Sequence, residues 1–184
     1  MNTTGFTEEI LAELKQTLAL IDDTEAEKLV AGILQAKKIF VAGGGRSGFM
    51  AKAFVMRMMH VGLDAYVVGE TVTPNLEADD IFIVGSGSGE TQSLAAMTEK
   101  AKATGAMVVA ITTNPESTIG SLADIQITIP AQAKADGDSG KSIQPMGSLF
   151  EQSLLLFYDA VILRFMDKKG MNSDTMYGRH ANLE

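Results

Sequence analysis

Ile39-Phe-Val-Ala-Gly-Gly-Gly-Arg-Ser-Gly48 and Ile81-Phe-Ile-Val-Gly-Ser-Gly-Ser-Gly-Glu90 are two versions of one phrase, an apolar run entering a glycine-rich turn, at an offset of 81 − 39 = 42 positions. A short apolar run bounded by turn residues marks a strand buried on both faces, and such strands belong to parallel sheets. Each turn opens onto a segment of helical period: a Met-rich stretch to about Val61 after the first, and a stretch ending near Gly105 after the second. This alternation predicts an α/β fold, a doubly wound five-stranded parallel sheet flanked by helices. In the order 2-1-3-4-5 the two phrases are strands 1 and 3. They lie side by side at the switch point, where ligands bind beyond the carboxyl ends of the strands.

The strands are expected at Lys38 to Ala42, Ala65 to Val68, Asp80 to Val84, Met107 to Ile111 and Ile125 to Ile129, with a short helix from Ser117 before the last. Upstream, Ile10, Leu11, Leu14, Leu18 and Ile21 recur at helical spacing, and Thr24-Glu-Ala-Glu27 has the pattern of a capping box. Two helices are therefore placed in 6–36, and the α/β core in 38–129. From Pro130 to Met146 the chain is polar and Gly-rich, so 130–147 reads as a loop, of a length that is more often functional than idle. The helix of 148–168 carries Phe150, Leu154, Leu155, Phe157, Val161, Ile162, Phe165 and Met166, a stripe wider than one core face needs. That width points to a contact with another subunit. A tail, 169–184, completes what reads as one domain.

The length of 184 residues suffices for one well-buried core. Lys and Arg number 15 against 23 Asp and Glu, a net charge of −8, and the basic residues form no stripe. That balance argues against a nucleic-acid partner and against an anionic membrane surface. The absence of Cys removes disulfides, thiolate metal sites and a cysteine nucleophile. The N-terminus has no basic region followed by an apolar stretch, and no apolar run approaches the roughly 20 residues that span a bilayer. A soluble, cytoplasmic protein is expected.

In the second turn, Gly87 and Gly89 let a ligand approach the backbone, and Ser86, Ser88 and Thr91 place hydroxyls around a helix start. One such turn is as well explained by a tight, capped strand-to-helix connection. Two at the switch point favour an anion site. The first turn also satisfies Gly-x-Gly-x-x-Gly through Gly43, Gly45 and Gly48, and Glu70 follows strand 2 where a ribose-binding acid would sit, so a dinucleotide reading stands beside the first. The hydroxyls of the second turn suit a terminal phosphate better than a pyrophosphate. No Gly-x-x-x-x-Gly-Lys-Ser/Thr occurs, and neither a metal cluster nor a cofactor is expected. Ser148-Leu-Phe-Glu151 has the form of a capping box, which would make Glu151 structural. The two histidines are His60, late in the Met-rich helix, and His180, in a polar tail of a kind usually frayed.

Ser86-Gly-Ser-Gly-Glu-Thr91 after an apolar strand resembles the phosphate loop of SIS (sugar isomerase) domains, and Gly43 to Gly48 resembles their first turn. Gly69-Glu-Thr-Val-Thr-Pro74, Ser142-Ile-Gln-Pro-Met-Gly-Ser-Leu-Phe-Glu-Gln152 and Arg179-His-Ala-Asn-Leu-Glu184 resemble the 6-phospho-3-hexuloisomerase branch, over essentially the whole chain. The resemblance implies a flavodoxin-like SIS fold and a homotetramer with the C-terminal helix and tail at its contacts. It also implies interconversion of D-arabino-hex-3-ulose 6-phosphate and D-fructose 6-phosphate, the second step of the ribulose monophosphate route for fixing formaldehyde. By the same resemblance Glu151 is the base, His180 or His60 a second catalytic group, and Ser47 a substrate contact. Arg46, Ser86, Gly87, Ser88, Gly89, Glu90 and Thr91 complete the implied substrate and phosphate set. Arg46, or the loop residues Lys134 and Lys141, are candidates to stabilise an enediolate. A non-catalytic sugar-phosphate sensor is the competing reading. Against it, no DNA-binding segment accompanies the domain and Glu151 is present.

Overall fold

The computed structural model describes residues 1–131 and 142–183. Five strands form one sheet: β1 (Ile39–Gly43), β2 (Ala65–Val67), β3 (Ile81–Gly85), β4 (Met107–Thr112) and β5 (Ile125–Thr128). All neighbours pair in parallel, in the order β2-β1-β3-β4-β5. The sequence echo is the pairing register itself, with Ile39 beside Ile81 and Gly43 beside Gly85. Both glycine-rich turns therefore leave the sheet at the same level. β1 and β3 each run one residue past the expected ends, because Gly43 and Gly85 still pair before the chain bends.

The helices are α1 (Thr3–Leu18), α2 (Asp23–Gln35), α3 (Gly45–His60), α4 (Gln92–Thr104), α5 (Thr118–Leu122), α6 (Ser148–Lys169) and α7 (Ser173–Tyr177). Successive strand residues point to opposite faces and feed two cores. Val41, Ile83, Val109 and Ile111 join α2, α3 and α6, whereas Phe40, Phe82, Val84 and Val108 join α4 and α5. Each fully buried branched side chain contributes about 1.5–3 kcal/mol relative to exposure.

The starts of both N-terminal helices differ from the sequence expectation. The N-cap of α2 is Asp22, whose carboxylate accepts from the Thr24 N–H at 2.8 Å, so the Thr24 box is not used. Glu27 instead pairs with Arg164 at 2.8 Å and Lys168 at 2.6 Å on α6. α1 begins at Thr3 rather than at 6, because Asn2 Oδ1 accepts from the Gly5 N–H at 2.9 Å. The described tail is not frayed. It forms α7, and Arg179 then lies over Gly62, whose φ is +84° and where a Cβ would fall 1.2 Å from the guanidinium. No helix among the described residues is long and apolar enough to cross a membrane.

Candidate active site

Helix starts sort the molecule. α1, α2, α5 and α7 are capped by the side chains of Asn2, Asp22, Ser117 and Asn172. α3, α4 and α6 are not: their N-caps, Gly44, Thr91 and Gly147, make no side-chain capping bond. Those three uncapped starts line one cavity of about 230 Å³ beyond the ends of β1 and β3. Unpaired N–H groups and aligned dipoles make such ends attractive to an anion.

Hydroxyls surround the same space. Ser86, 3% exposed, accepts from the Gly89 N–H at 3.2 Å and keeps its own O–H to donate. Ser88 accepts from the Glu90 N–H at 3.2 Å, and Ser47 and Thr91 line the cavity from the starts of α3 and α4. The turn is pinned from below, since the Gly87 carbonyl accepts from the Thr112 and Thr113 hydroxyls at 3.0 and 2.8 Å. Gly89 has φ +68°, and a Cβ there would fall 1.9 Å from Ser117 Oγ, so no other residue fits without displacement. Gly89 and Glu90 are not among the residues lining the cavity. Glu90 instead accepts from the Thr118 N–H and hydroxyl, both at 2.8 Å, and these bonds hold its carboxyl below the ordinary range. Both residues shape the turn.

Glu151 lies in the first turn of α6, 4% exposed, with its carboxylate at the cavity. The expected capping box does not form, because Gly147 takes the N-cap position and Ser148 becomes the first helical residue. Arg46 Nη1, on the start of α3, donates to Glu151 Oε2 at 3.2 Å. The structure thus gathers Arg46, Ser47, Ser86, Gly87, Ser88, Thr91 and Glu151. Lys134 and Lys141 lie outside the described residues. The sequence reading missed Gly44 and Gly147; a glycine where Ser, Asp or Asn is preferred was the available signal.

The histidines meet elsewhere. His60, 5% exposed at the end of α3, stacks on His180 with ring centroids 5.4 Å apart and planes inclined by 18°. Burial first, then the charges of Arg57 and His180, hold the His60 imidazole below its ordinary 6.5. Arg57, Asp159 and Tyr177 join the pair around a second cavity of about 480 Å³. Ser47 and His60 are 60 − 47 = 13 positions apart on α3, which at 1.5 Å per residue is about 20 Å. Within one protomer the histidines are therefore remote from Glu151.

Glu70, the ribose-binding candidate, pairs with Lys52 at 2.6 Å and does not line the first cavity. Among the described residues, one carboxylate group is close enough to share a cation: Glu77, Asp79 and Asp80, ahead of β3 at the amino ends of the strands, away from the cavity. Lys37 and Lys38 pair with it.

The family described as SIS domain matches residues 32–156, which include all three uncapped helix starts. The 3-hexulose-6-phosphate isomerase of Bacillus subtilis (strain 168) is 55% identical over 185 residues, covering 100% of both chains. That of Mycobacterium gastri is 42% identical over 172 residues, 94% of this chain and 86% of that protein. A solved structure from Methanococcus jannaschii, from which a molecular function of 3-hexulose-6-phosphate isomerase was inferred, has a TM-score of 0.85. It is 33% identical over 98% of this chain and 99% of that one.

Proposed function

The chain belongs to the SIS domain family, and from that premise we propose that it is a ketose-phosphate isomerase interconverting D-arabino-hex-3-ulose 6-phosphate and D-fructose 6-phosphate. One observation carries the reading: three uncapped helix starts and the buried Glu151 carboxylate share a single cavity. A phosphate monoester fits against the start of α4, where N–H groups and the hydroxyls of Ser86, Ser88 and Thr91 converge, with Ser47 facing it. That anchorage holds C2 and C3 near Glu151. The carboxylate takes the C2 proton, the C2–H electrons form the C2=C3 bond, and the C3 carbonyl oxygen takes up the charge. The enediolate gains a proton at O3, loses one at O2, and is reprotonated at C3 by Glu151, leaving the carbonyl at C2. Every proton and electron pair lost at one carbon is recovered at its neighbour, so no redox cofactor enters the balance. On this reading Arg46, which donates to Glu151, and the helix ends stabilise the enediolate charge.

Incubation with D-fructose 6-phosphate in D2O, followed by NMR of C3–H, tests this directly. Enzyme-dependent exchange lost in Glu151→Gln is expected. Binding without exchange in the wild type would instead make the domain a sugar-phosphate sensor.

We also propose a cytoplasmic homotetramer with α6 and the tail at its contacts, in which a histidine shuttles protons between O2 and O3 in a neighbouring copy's site. Two features support it: the roughly 20 Å that separate His60 from the cavity within a protomer, and the exposure of Met56, Met59, Leu163 and Tyr177 at 46, 42, 66 and 81%. Mixing Glu151→Gln with His180→Ala should regenerate activity if sites are shared between copies. Inactive mixtures of chains that demonstrably exchange would refute the sharing.

A further inference from the structure

Three hydrogen bonds from the segment ahead of α6 converge on one carboxylate of α1. Glu13 accepts from Ser142 Oγ at 2.8 Å, from the Ile143 N–H at 2.7 Å and from Gln144 Nε2 at 2.9 Å. Gln144 is itself buried, 7% exposed, and its N–H donates to Ser142 Oγ at 3.0 Å. Burial alone would raise the Glu13 carboxyl, but the bonds from Gln144, Ile143 and Ser142 outweigh it and hold the group below its ordinary value. This is a built clamp, not a solvated charge on an amphipathic helix.

The next residues show what the clamp holds. Met146, with φ +58°, is the one non-glycine residue of positive φ among those described. A side chain in that region persists only where its surroundings leave no alternative. On its far side the first turn of α6 is closed by the Ser148 N–H to the Pro145 carbonyl at 3.2 Å and the Glu151 N–H to the Gly147 carbonyl at 3.0 Å. Met146 therefore stands between two anchors, the Glu13 clamp and the turn that carries Glu151.

We propose that Glu13 is a positioning residue for the isomerase reaction: by fixing Ser142 to Gln144 it holds Met146 in a left-handed turn and so aims Glu151 into the cavity. This rests on the isomerase reading above. The phosphate end, built on β3 and α4, does not depend on the clamp, so chemistry and binding separate. In the full-length protein Glu13→Ala should lower kcat about tenfold or more, while KM and inhibition by inorganic phosphate stay within about twofold. Glu13→Gln retains an acceptor for the Ile143 N–H, and an amide flip of Gln144 can meet its NH2, so it should restore most of kcat. A purely structural role would lower the melting temperature and leave the kcat of the folded fraction unchanged. That result, or a parallel loss of phosphate affinity, overturns the proposal. If Glu13→Ala does not fold, Ser142→Ala and Gln144→Ala decide it by the same split between kcat and KM. Exchange at C3–H in the wild type with unaltered kcat in the clamp variants sinks the clamp alone; no exchange in the wild type sinks the isomerase reading and the clamp's role with it.

Discussion

At the scale of the residue, the proposed mechanism rests on one carboxylate, that of Glu151 in the first turn of α6. Glu151→Gln keeps shape and removes the base, so kcat should fall by about a thousandfold or more, while inorganic phosphate still inhibits; isomerase assays on the purified variant measure both. His60 predicts a pH effect on stability. Its imidazole is held below 6.5, so in that window the folded chain binds fewer protons than the unfolded one. Stability is then fully present above 6.5 and lost as pH falls through the depressed value. Thermal melts from about pH 7.5 to pH 5 should show this loss, and His60→Asn should flatten it. Gly89→Ala sets φ +68° and a 1.9 Å approach to Ser117 against a methyl group. A destabilisation of about 2 kcal/mol or more follows, readable by urea unfolding.

At the scale of the element, helix starts divide into those capped by a side chain and those without such a cap, where the proposed function seats its ligand. Thr91→Asp supplies α4 with the cap it lacks and should stabilise the ligand-free protein by about 1 kcal/mol. The same carboxylate repels a phosphate, so the melting temperature should rise while KM for D-fructose 6-phosphate increases severalfold. The strands and turns were legible because a buried strand writes its apolar run directly into the chain and the 42-residue echo encodes the β1–β3 register. Capping was less legible. Thr24 and Ser148 both head plausible boxes, yet Asp22 and Gly147 take the N-cap positions, since the fold decides where each helix begins. Glu13 reads as an ordinary surface charge until the chain beyond 141 returns to it. The histidine pair was equally hidden, because it joins the end of α3 to a tail 180 − 60 = 120 positions later in the chain, and only the fold brings them together.

At the scale of the whole molecule, the apolar residues of α6 exceed what the two cores absorb. Leu163, 66% exposed, lies beside the histidine cavity. Leu163→Lys should shift the protein to smaller species in light scattering and, if histidine serves a neighbouring copy, reduce activity with it. An unchanged mass would refute the contact. The register of β1 on β3 has a consequence of its own. Because Gly43 and Gly85 sit level, the two turns leave the sheet together and would act as opposed jaws on the proposed ligand. A slip of β1 by one residue would turn Val41 toward the wrong layer and withdraw that jaw by about 3.3 Å. The alignment that seals the interior thus also calibrates the grip, and a deletion in either strand would damage both at once.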